Sequence, residues 1–296
     1  KVKAILDQYS ADTIREQLEY KVALAPYSSY KAQDGKIINR SEVKAKEFAY
    51  NLVHSKDKEW LNEIDILLQN EQRLTFVFGQ ELVKQNVLDD EFIDIVIKKM
   101  SYIPFEQQNN SLIADYCSAL QDDAYKRRII DKFLLNEKIA FHAIHLTRSL
   151  DLVYDDLIKL KKVVDIDAKF VVSLQYLNLK SLKNHEFIEF VNWVKSIEPY
   201  GPWVAIDLCT GYFEEGNEIE QEMITFIKAI LKQNGILKGE YIHVTFAMNQ
   251  YVQLINKIEQ STDLDDLVVF LTNEIIELSK EMSYYQENQI VEILNI

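Results

Sequence analysis

The scarcity of residues that break helices is the feature that most restricts how this chain can fold. Its 296 residues include only seven glycines and four prolines, well below the average use of these two residue types. Tight β-hairpins need such residues at defined positions, so a β-rich fold would lack most of its turns. Apolar residues recur at spacings of three and four, as in Phe187, Phe190, Val191 and Val194, which is the period of an amphipathic helix. We therefore predict an all-α fold.

The predicted helices follow one another with a regular rhythm. Alternate helix starts are about 30 to 36 residues apart, which is the length of a two-helix repeat unit. This spacing predicts stacked antiparallel helical hairpins, an α-solenoid-like superhelix, with a large helical bundle as the alternative. The predicted starts lie near positions 41, 58, 72, 89, 108, 122, 136, 151, 166, 184, 202, 217, 240, 263 and 283.

The rhythm resembles that of the irregular α-solenoids of the HEAT-like and TPR-like families over roughly residues 41 to 296. The resemblance implies a grooved surface that binds a protein. The TPR pattern W-x2-L-G-x2-Y is missing, because none of Trp60, Trp193 and Trp203 has Leu-Gly at the required offset. No Pro-Asp-Arg signature of the HEAT type recurs either.

Two local patterns complete the prediction of secondary structure. A helical pattern opens at Ser10 or Asp12 and runs from Ile14 to Leu24, and Pro26 and the polar residues after it predict a linker. Polar and apolar residues alternate over 241–248, which permits a strand. The helical neighbours of that stretch favour a long helix instead.

Charge is distributed unevenly, and we divide the chain accordingly. Residues 201 to 296 hold five bases against 16 acids and carry most of the net charge of -14. We predict an N-terminal helical segment and linker at 1–40, near-neutral helical repeats at 41–198, and acidic helical repeats at 199–296. The acidic part would attract a basic partner and repel phosphate backbones and anionic lipid.

The sequence also predicts the surroundings of the protein. No segment approaches the roughly 20 apolar residues of a membrane span, so we expect a soluble protein without a membrane partner. Cys117 and Cys209 lie far apart, which favours a reducing cytoplasm over a disulfide framework. The chain begins Lys1-Val2-Lys3 without a methionine, and we expect it to be part of a longer chain or complex.

Paired acids at the starts of helical segments have two interpretations. Asp122-Asp123 and Asp155-Asp156 precede basic residues in the same segments, and this order complements the helix dipole, so we favour helix capping. The alternative is an all-α Mg²⁺-dependent enzyme with Asp89, Asp90 and Asp94 as metal ligands. All-helical terpene synthases of about this length carry such an aspartate-rich motif, but their second motif, N/D-D-x-x-S-x-x-x-E, has no match here.

Other catalytic patterns are missing. His142 and His145 are spaced for neighbouring turns of a helix, but no nearby Glu or Cys completes a zinc site, so we interpret them as surface or interface histidines. There is no HExxH motif and no phosphate-binding loop of the form G-x-x-x-x-G-K-S/T. The two cysteines are interpreted as buried structural thiols. We expect no cofactor, and the sequence does not favour an enzyme.

The densest basic region supplies a further alternative, a nucleic-acid-binding helical repeat. Aligned on one face, its side chains would track a phosphate backbone. Their near-neutral surroundings argue against nucleic acid as a partner. The candidate contacts are Lys126, Arg127, Arg128, Lys161 and Lys162.

The break between Pro199 and Gly216 is the most distinctive local feature. Pro199 stops one helix, Pro202 can stand in the first turn of the next, and Gly211 or Gly216 ends it. The aromatic residues of this helix are predicted core, with a pocket or partner groove as the alternative. Its one carboxylate needs a partner, and a nearby lysine is expected. The candidate interaction residues are Tyr200, Trp203, Asp207, Tyr212, Glu214, Glu215, Glu218 and Glu222.

The leading functional hypothesis is a non-enzymatic protein–protein interaction module. It would be the scaffold or sensor region of a larger bacterial assembly, by analogy with helical repeats attached to defence NTPases. A close variant is an acidic immunity-type protein that binds a basic toxin through its C-terminal third. Both hypotheses predict a protein partner, and the second predicts a basic one.

Overall fold

The computed structural model describes residues 12–32, 34–55, 58–70, 72–85, 90–214, 220–232, 244–258 and 265–280. These residues are mostly helical, with one short two-stranded sheet among them, so the predicted all-α class is confirmed. The chain divides into two compact units, Lys1–Leu150 (unit 1) and Asp151–Ile296 (unit 2). The domain boundaries predicted at 40 and 198 stay predictions.

Unit 1 consists of helices and one hairpin. Its largest fully buried side chains include Phe78, Phe92, Tyr116 and Phe133. In chain order the elements are α1 (Ile14–Leu18) with a π turn (Glu19–Ala23), β1 (Ser29–Lys31), β2 (Ile37–Asn39), α2 (Arg40–His54), a 3-10 helix (Glu59–Leu67), α3 (Thr75–Lys84), α4 (Asp90–Met100), a 3-10 turn (Phe105–Gln107), α5 (Ser111–Ala119), α6 (Asp123–Leu134), α7 (His142–Leu146) and a 3-10 turn (Thr147–Ser149).

The regular elements among the described residues of unit 2 are all helices. Phe187, Phe190 and Ile227 are fully buried in it. Its elements are α8 (Tyr154–Ile166), a 3-10 helix (Ala168–Tyr176), α9 (Asn184–Lys195), α10 (Gly201–Glu214), α11 (Gln221–Leu231), α12 (Val244–Ile258) and α13 (Asp265–Ser279).

The predicted helix starts agree with the observed ones to within a turn or two, apart from the start near 283, which lies outside the described residues. Residues 244–248 are helical, so the strand alternative is wrong there, and 241–243 also lie outside. Gly211 lies inside α10 and does not end it, since the helix continues to Glu214. Gly216 is not among the described residues.

The start of unit 1 differs from the prediction in two ways. Helix α1 is capped by Thr13, whose hydroxyl accepts from the Glu16 N–H while the Glu16 carboxylate accepts from the Thr13 N–H, so Asp12 is not the cap. The segment after Pro26 forms the hairpin β1–β2 instead of a linker. Gly35 makes its turn with φ of 85°, a conformation that glycine adopts without strain.

Helices α4 and α6 lie side by side in unit 1 and run parallel. Arg128 Nη2 lies 3.6 Å from Asp90 Oδ1, and Lys132 Nζ lies 2.7 Å from Asp94 Oδ1. The partners are one turn apart and follow the same order on both helices, so the helices point the same way. Alternate helices of stacked hairpins have this relation, but the solenoid arrangement of the whole chain stays a proposal.

Helix α3 approaches α5 closely at Gly79. A Cβ atom on Gly79 would lie 2.6 Å from the Leu112 carbonyl oxygen and 3.2 Å from the Tyr116 nitrogen. Only a residue without a side chain allows the two backbones this separation. The contact fixes the side of α5 that faces away from solvent.

Helix α10 is the central element of unit 2. It packs against α9, the 3-10 helix, α11 and α12, and nearly all of its residues are buried. Pro202 stands at its second position, where no N–H is needed, as predicted. A Cβ atom on Gly201 would overlap the Val194 carbonyl oxygen, so glycine allows the sharp turn from α9 into α10.

Candidate functional site

The aromatic residues of the central break belong mainly to the core. Tyr212 is buried, its hydroxyl donates to Asn184 Oδ1 at 2.9 Å, and its ring stacks on Phe187 with centroids 4.1 Å apart. Burial raises the pKa of Tyr212. Tyr200 and Trp203 are half-buried. The contacts of Tyr212 therefore support the interpretation that its ring belongs to the core.

The charged candidates of the same region divide in two. Asp207 is half-buried and is not without a partner. Glu222 is exposed in the first turn of α11. Glu215 and Glu218 lie outside the described residues, and only the backbone of Glu214 is described. Of the four glutamates proposed as contacts, Glu222 is thus the one whose exposed side chain the structure describes.

The aspartates of the metal alternative are engaged in ion pairs. Asp90 and Asp94 are exposed on α4 and share Lys132, whose Nζ lies 3.5 and 2.7 Å from them. Hydrogen bonding to Asp94 is the main cause of a raised pKa of Lys132. Asp89 lies outside the described residues. Within the described part of the chain, no group of three or more His, Cys, Asp and Glu is placed to hold a metal ion.

The other acidic pairs act as helix caps. Asp122 Oδ1 accepts from the backbone N–H groups of Ala124 and Tyr125 at 2.9 and 3.1 Å. Asp156 accepts from the Val153 N–H at 3.2 Å. These bonds satisfy backbone donors that the first turn of a helix leaves free, so the capping interpretation is confirmed for both.

The basic candidates are spread over different environments. Lys126 is only 7% exposed, and its Nζ donates to the Ser149 carbonyl oxygen at 2.9 Å and pairs with Asp123 at 3.1 Å. This ammonium is not available to a phosphate in this conformation. Arg128 lies over the Tyr125 ring, and Lys161 lies over the Trp193 ring.

Arg127 is half-buried, whereas Lys162 is exposed. The structure therefore does not gather the five bases into one uniformly exposed group.

His142 is a buried structural residue, not a surface histidine. Its Nε2 lies 2.7 Å from Gln108 Oε1, while the Gln108 amide nitrogen donates to the carbonyls of Ile103 and Lys138 at 2.9 and 3.3 Å. This pattern requires His142 to donate from Nε2. Burial, and then the neighbouring His145, lower the pKa of His142 to about 4.

A polar cleft of about 260 Å³ opens between α5 and the end of α7. We call it the α5–α7 cleft. Ser111, Asp115 and Ser118 recur on one side of α5 at spacings of four and three, so they share a helix face. Together with α7 and the turn after it, this face forms the cleft, whose lining residues are Asn110, Ser111, Ala114, Asp115, Ser118, His145, Arg148 and Ser149.

Asp115 is the acidic group of the α5–α7 cleft. It is half-buried, and burial raises the pKa of its carboxyl, while a hydrogen bond from Gln80 on α3 lowers it less. On the other wall, burial and then the charge of Arg148 lower the pKa of His145 to about 4. The histidine is therefore neutral at pH 7, whereas the carboxylate is only partly compensated.

The shifts of His145 and of the two cysteines do not suit these residues to act as a general base or as nucleophiles at neutral pH. An efficient general base has a pKa near the working pH, and His145 lies well below it. Burial raises the pKa of Cys117 to about 12 and that of Cys209 still further, so the thiolates that a nucleophile needs are suppressed. The predicted buried thiols are confirmed.

A second, larger cavity lies at the C-terminal ends of α3 and α5. Its volume is about 520 Å³. Both cavities adjoin α5, so small groups can reach this helix from outside at two places. The larger cavity is lined by Val83, Lys84, Ala119, Leu120, Gln121, Asp122, Tyr125 and Arg128.

The sequence analysis missed Asp115. The available signal was a polar stripe, Ser111, Asp115 and Ser118, on a helix that otherwise carries apolar residues. In a buried helix, a carboxylate needs compensation or has a function. That reasoning was applied to Asp207 of α10 but not to α5.

Known proteins offer no guide to this site: no family model matches the chain, and no significant match exists among curated proteins or solved structures. Separately, no described helix combines the length and apolar character that crossing a membrane requires.

Proposed function

We propose that this protein is a non-enzymatic protein–protein interaction module, a scaffold or sensor region, and that the α5–α7 cleft receives a basic side chain of the partner. The observation that carries the proposal is the half-buried carboxyl of Asp115 in an open polar cleft. A carboxylate is stabilised by a cation nearby, and more strongly where water is partly excluded.

The neighbours of Asp115 support this assignment. Gln80 provides one neutral hydrogen bond, and a carboxylate can accept several more from an incoming donor. Ser118, which donates to the Asp115 carbonyl at 2.8 Å, places a further hydroxyl beside it. An arginine or lysine side chain satisfies such a set of acceptors with several donors.

The size of the cleft favours a side chain over a free metabolite. Its volume of about 260 Å³ lies below the roughly 300 to 1,000 Å³ of sites that enclose drug-sized ligands. A cleft of this size receives one long side chain of an extended segment. The rest of the segment would lie across the surface of α5 and α7.

Display selection tests the proposal. Random short peptide segments are selected on the wild-type protein, and we expect arginine or lysine to be enriched at one position of the selected segments. Their affinity for D115N should fall about 10-fold, because a hydrogen bond to a charged group is lost. Segments that bind D115N as tightly as the wild type would contradict the proposal.

The matched control is E137Q. Glu137 is an exposed acid of unit 1 outside both cavities, so its substitution removes the same charge from a different place. We expect the selected segments to bind E137Q as they bind the wild type. An equal loss in both variants would show a general charge effect instead of a site.

A further inference from the structure

A strip of basic and aromatic side chains runs over the beginning of unit 1. We call it the N-terminal strip and define it by Tyr20, Lys21, Tyr27, Tyr30, Lys31, Arg40 and Lys44. Its members come from the π turn after α1, the segment that leads to β1, the hairpin β1–β2 and the first turns of α2. None of them belongs to either cavity described above.

Interactions join two pairs of side chains in the strip. The Arg40 guanidinium lies 5.0 Å from the centre of the Tyr30 ring, which joins α2 to the hairpin. Lys44 stands one turn after Arg40 on α2, and burial and then the charge of Lys44 lower the pKa of Lys21. Two ammonium groups that repel each other in this way form a site of positive potential.

The strip is basic although the protein as a whole is acidic. Residues 20 to 46 contain six bases and two acids, Asp34 and Glu42. Asp34 pairs with Lys36 at 3.5 Å, and Glu42 accepts from the Asn39 amide at 2.8 Å. The carboxylates of both acids therefore already interact with residues of the segment itself.

Three bases of the strip lack an acidic partner among the described residues, unlike Lys132 on α6. Among the described residues, none of Lys31, Arg40 and Lys44 has an acidic group within 4 Å, whereas Lys132 on α6 has two. Charges further than about 8 Å away are largely screened at physiological salt.

Exposed tyrosines accompany these bases. Tyr20, Tyr27 and Tyr30 are 51, 78 and 43% exposed. A single exposed aromatic ring is ordinary on a protein surface. Three exposed rings within 11 residues of sequence, beside basic side chains that have no acidic partner, are not. Rings of this kind stack with nucleic-acid bases, and every base has a face to offer.

We propose that the N-terminal strip binds single-stranded nucleic acid. Lys31, Arg40 and Lys44 contact the phosphates, and Tyr27 and Tyr30 stack on unpaired bases. A duplex is disfavoured because its base faces are already stacked inside the helix. An acidic peptide would use the same bases but would leave the exposed rings without a matching group.

Fluorescence anisotropy with a labelled oligothymidylate of about 12 nucleotides tests the proposal, since single-strand sites span roughly 4 to 16 nucleotides. We expect binding that weakens with salt with a slope near -2, because three phosphates each contribute about -0.7. The variant K31Q/R40Q/K44Q should bind at least about 10-fold more weakly. The control K98Q/K138Q/K183Q, which removes three exposed lysines outside the strip, should bind as the wild type does.

The variant Y27L/Y30L separates nucleic acid from an acidic peptide. It keeps every base of the strip, and we expect it to lose about 10-fold in affinity for the oligonucleotide, because the stacking is lost. Thermal melting checks that each variant is folded. The proposal is overturned if the folded wild type does not bind the oligonucleotide, if both triple variants lose affinity equally, or if a polyglutamate peptide competes fully and Y27L/Y30L binds normally.

Discussion

Helices α5 and α10 occupy similar places in the two units but differ in what they leave accessible. Each is largely apolar, and each lies close to a neighbouring helix at a glycine, Gly79 beside α5 and Gly201 at the start of α10. Helix α10 is covered on nearly every side. Helix α5 keeps a polar stripe that opens into a cleft with Asp115 in it.

The difference teaches where a helical protein can place a binding site. Glycines, prolines and aromatic rings around α10 reflect the needs of close packing, because a tight turn and a dense core demand those residues. A site needs polar groups that the fold leaves only partly satisfied. Helix α5 has such groups, and it has neither the glycines nor the proline of α10.

The largest effect should come from G201A. The added methyl group would overlap the Val194 carbonyl oxygen, so α9 and α10 must separate, and we expect a loss of about 3 kcal/mol in the free energy of unfolding. Urea denaturation followed by Trp203 fluorescence measures it. G211A is the control: a Cβ there meets no atom within 4 Å, and we expect a gain of about 0.5 to 1 kcal/mol from helix propensity.

If G201A were as stable as the wild type, the packing of α10 would not be what limits that turn, and the contrast between the two helices would lose its basis.

Unit 1 should be the more acid-sensitive region because of His142. The pKa of His142 is lowered to about 4 in the folded state, whereas an unfolded histidine titrates near pH 6.5. The unfolded chain therefore binds more protons between these values, so the stabilisation is complete above about pH 6.5 and is lost as the pH falls toward 4. The difference corresponds to at most about 3 kcal/mol.

Hydrogen exchange of unit 1 peptides, measured from pH 7 to pH 4.5 and corrected for intrinsic rates, checks this prediction. H142L removes one of two titrating groups on α7, since the pKa of His145 is also lowered to about 4, and should reduce the pH dependence of the protection of α7. An unchanged dependence in H142L would assign the acid sensitivity to other groups.

G79A tests the packing of α5. Its methyl group would lie 2.6 Å from the Leu112 carbonyl oxygen, and because backbone atoms have to move, we expect a loss of about 2 kcal/mol. Denaturation followed by Trp60 fluorescence, with Trp193 and Trp203 replaced by Phe, measures the effect in unit 1. A stabilised G79A would mean that the two helices separate without cost.

The smallest effect should come from Y212F. This substitution keeps the stack on Phe187 and removes the hydrogen bond to Asn184, so we expect a loss of about 1 kcal/mol. Urea denaturation measures the loss, and binding of the selected peptide segments should not change. A fall in affinity without a fall in stability would indicate that Tyr212 contacts the peptide segment.

Most of the secondary structure could be predicted from the sequence, because it follows from local rules. The period of apolar residues predicts nearly every described helix, and Pro199 and Pro202 predict the break before α10. The hairpin β1–β2 was missed although Asp34-Gly35 is a turn signal, since three-residue strands show too little alternation to be recognised.

The candidate site could not be predicted in the same way, because it depends on contacts between distant residues. Asp115 meets Gln80 and lies in one cleft with His145, and no spacing in the sequence reports this. Lys126 belongs to a basic run, yet it is buried against Ser149. Burial of a charged group is decided by tertiary packing, which local periodicity does not contain.

Site-specific photo-cross-linking tests most directly whether the accessible site lies at α5 and not at α10. A benzophenone amino acid replaces either Ser118 in the α5–α7 cleft or Gly211, the exposed position of α10, in the full chain, and each protein is irradiated with a selected peptide segment. We expect a cross-link from position 118 that D115N weakens, and none from position 211. A cross-link from position 211 alone, or from neither position, would contradict the account.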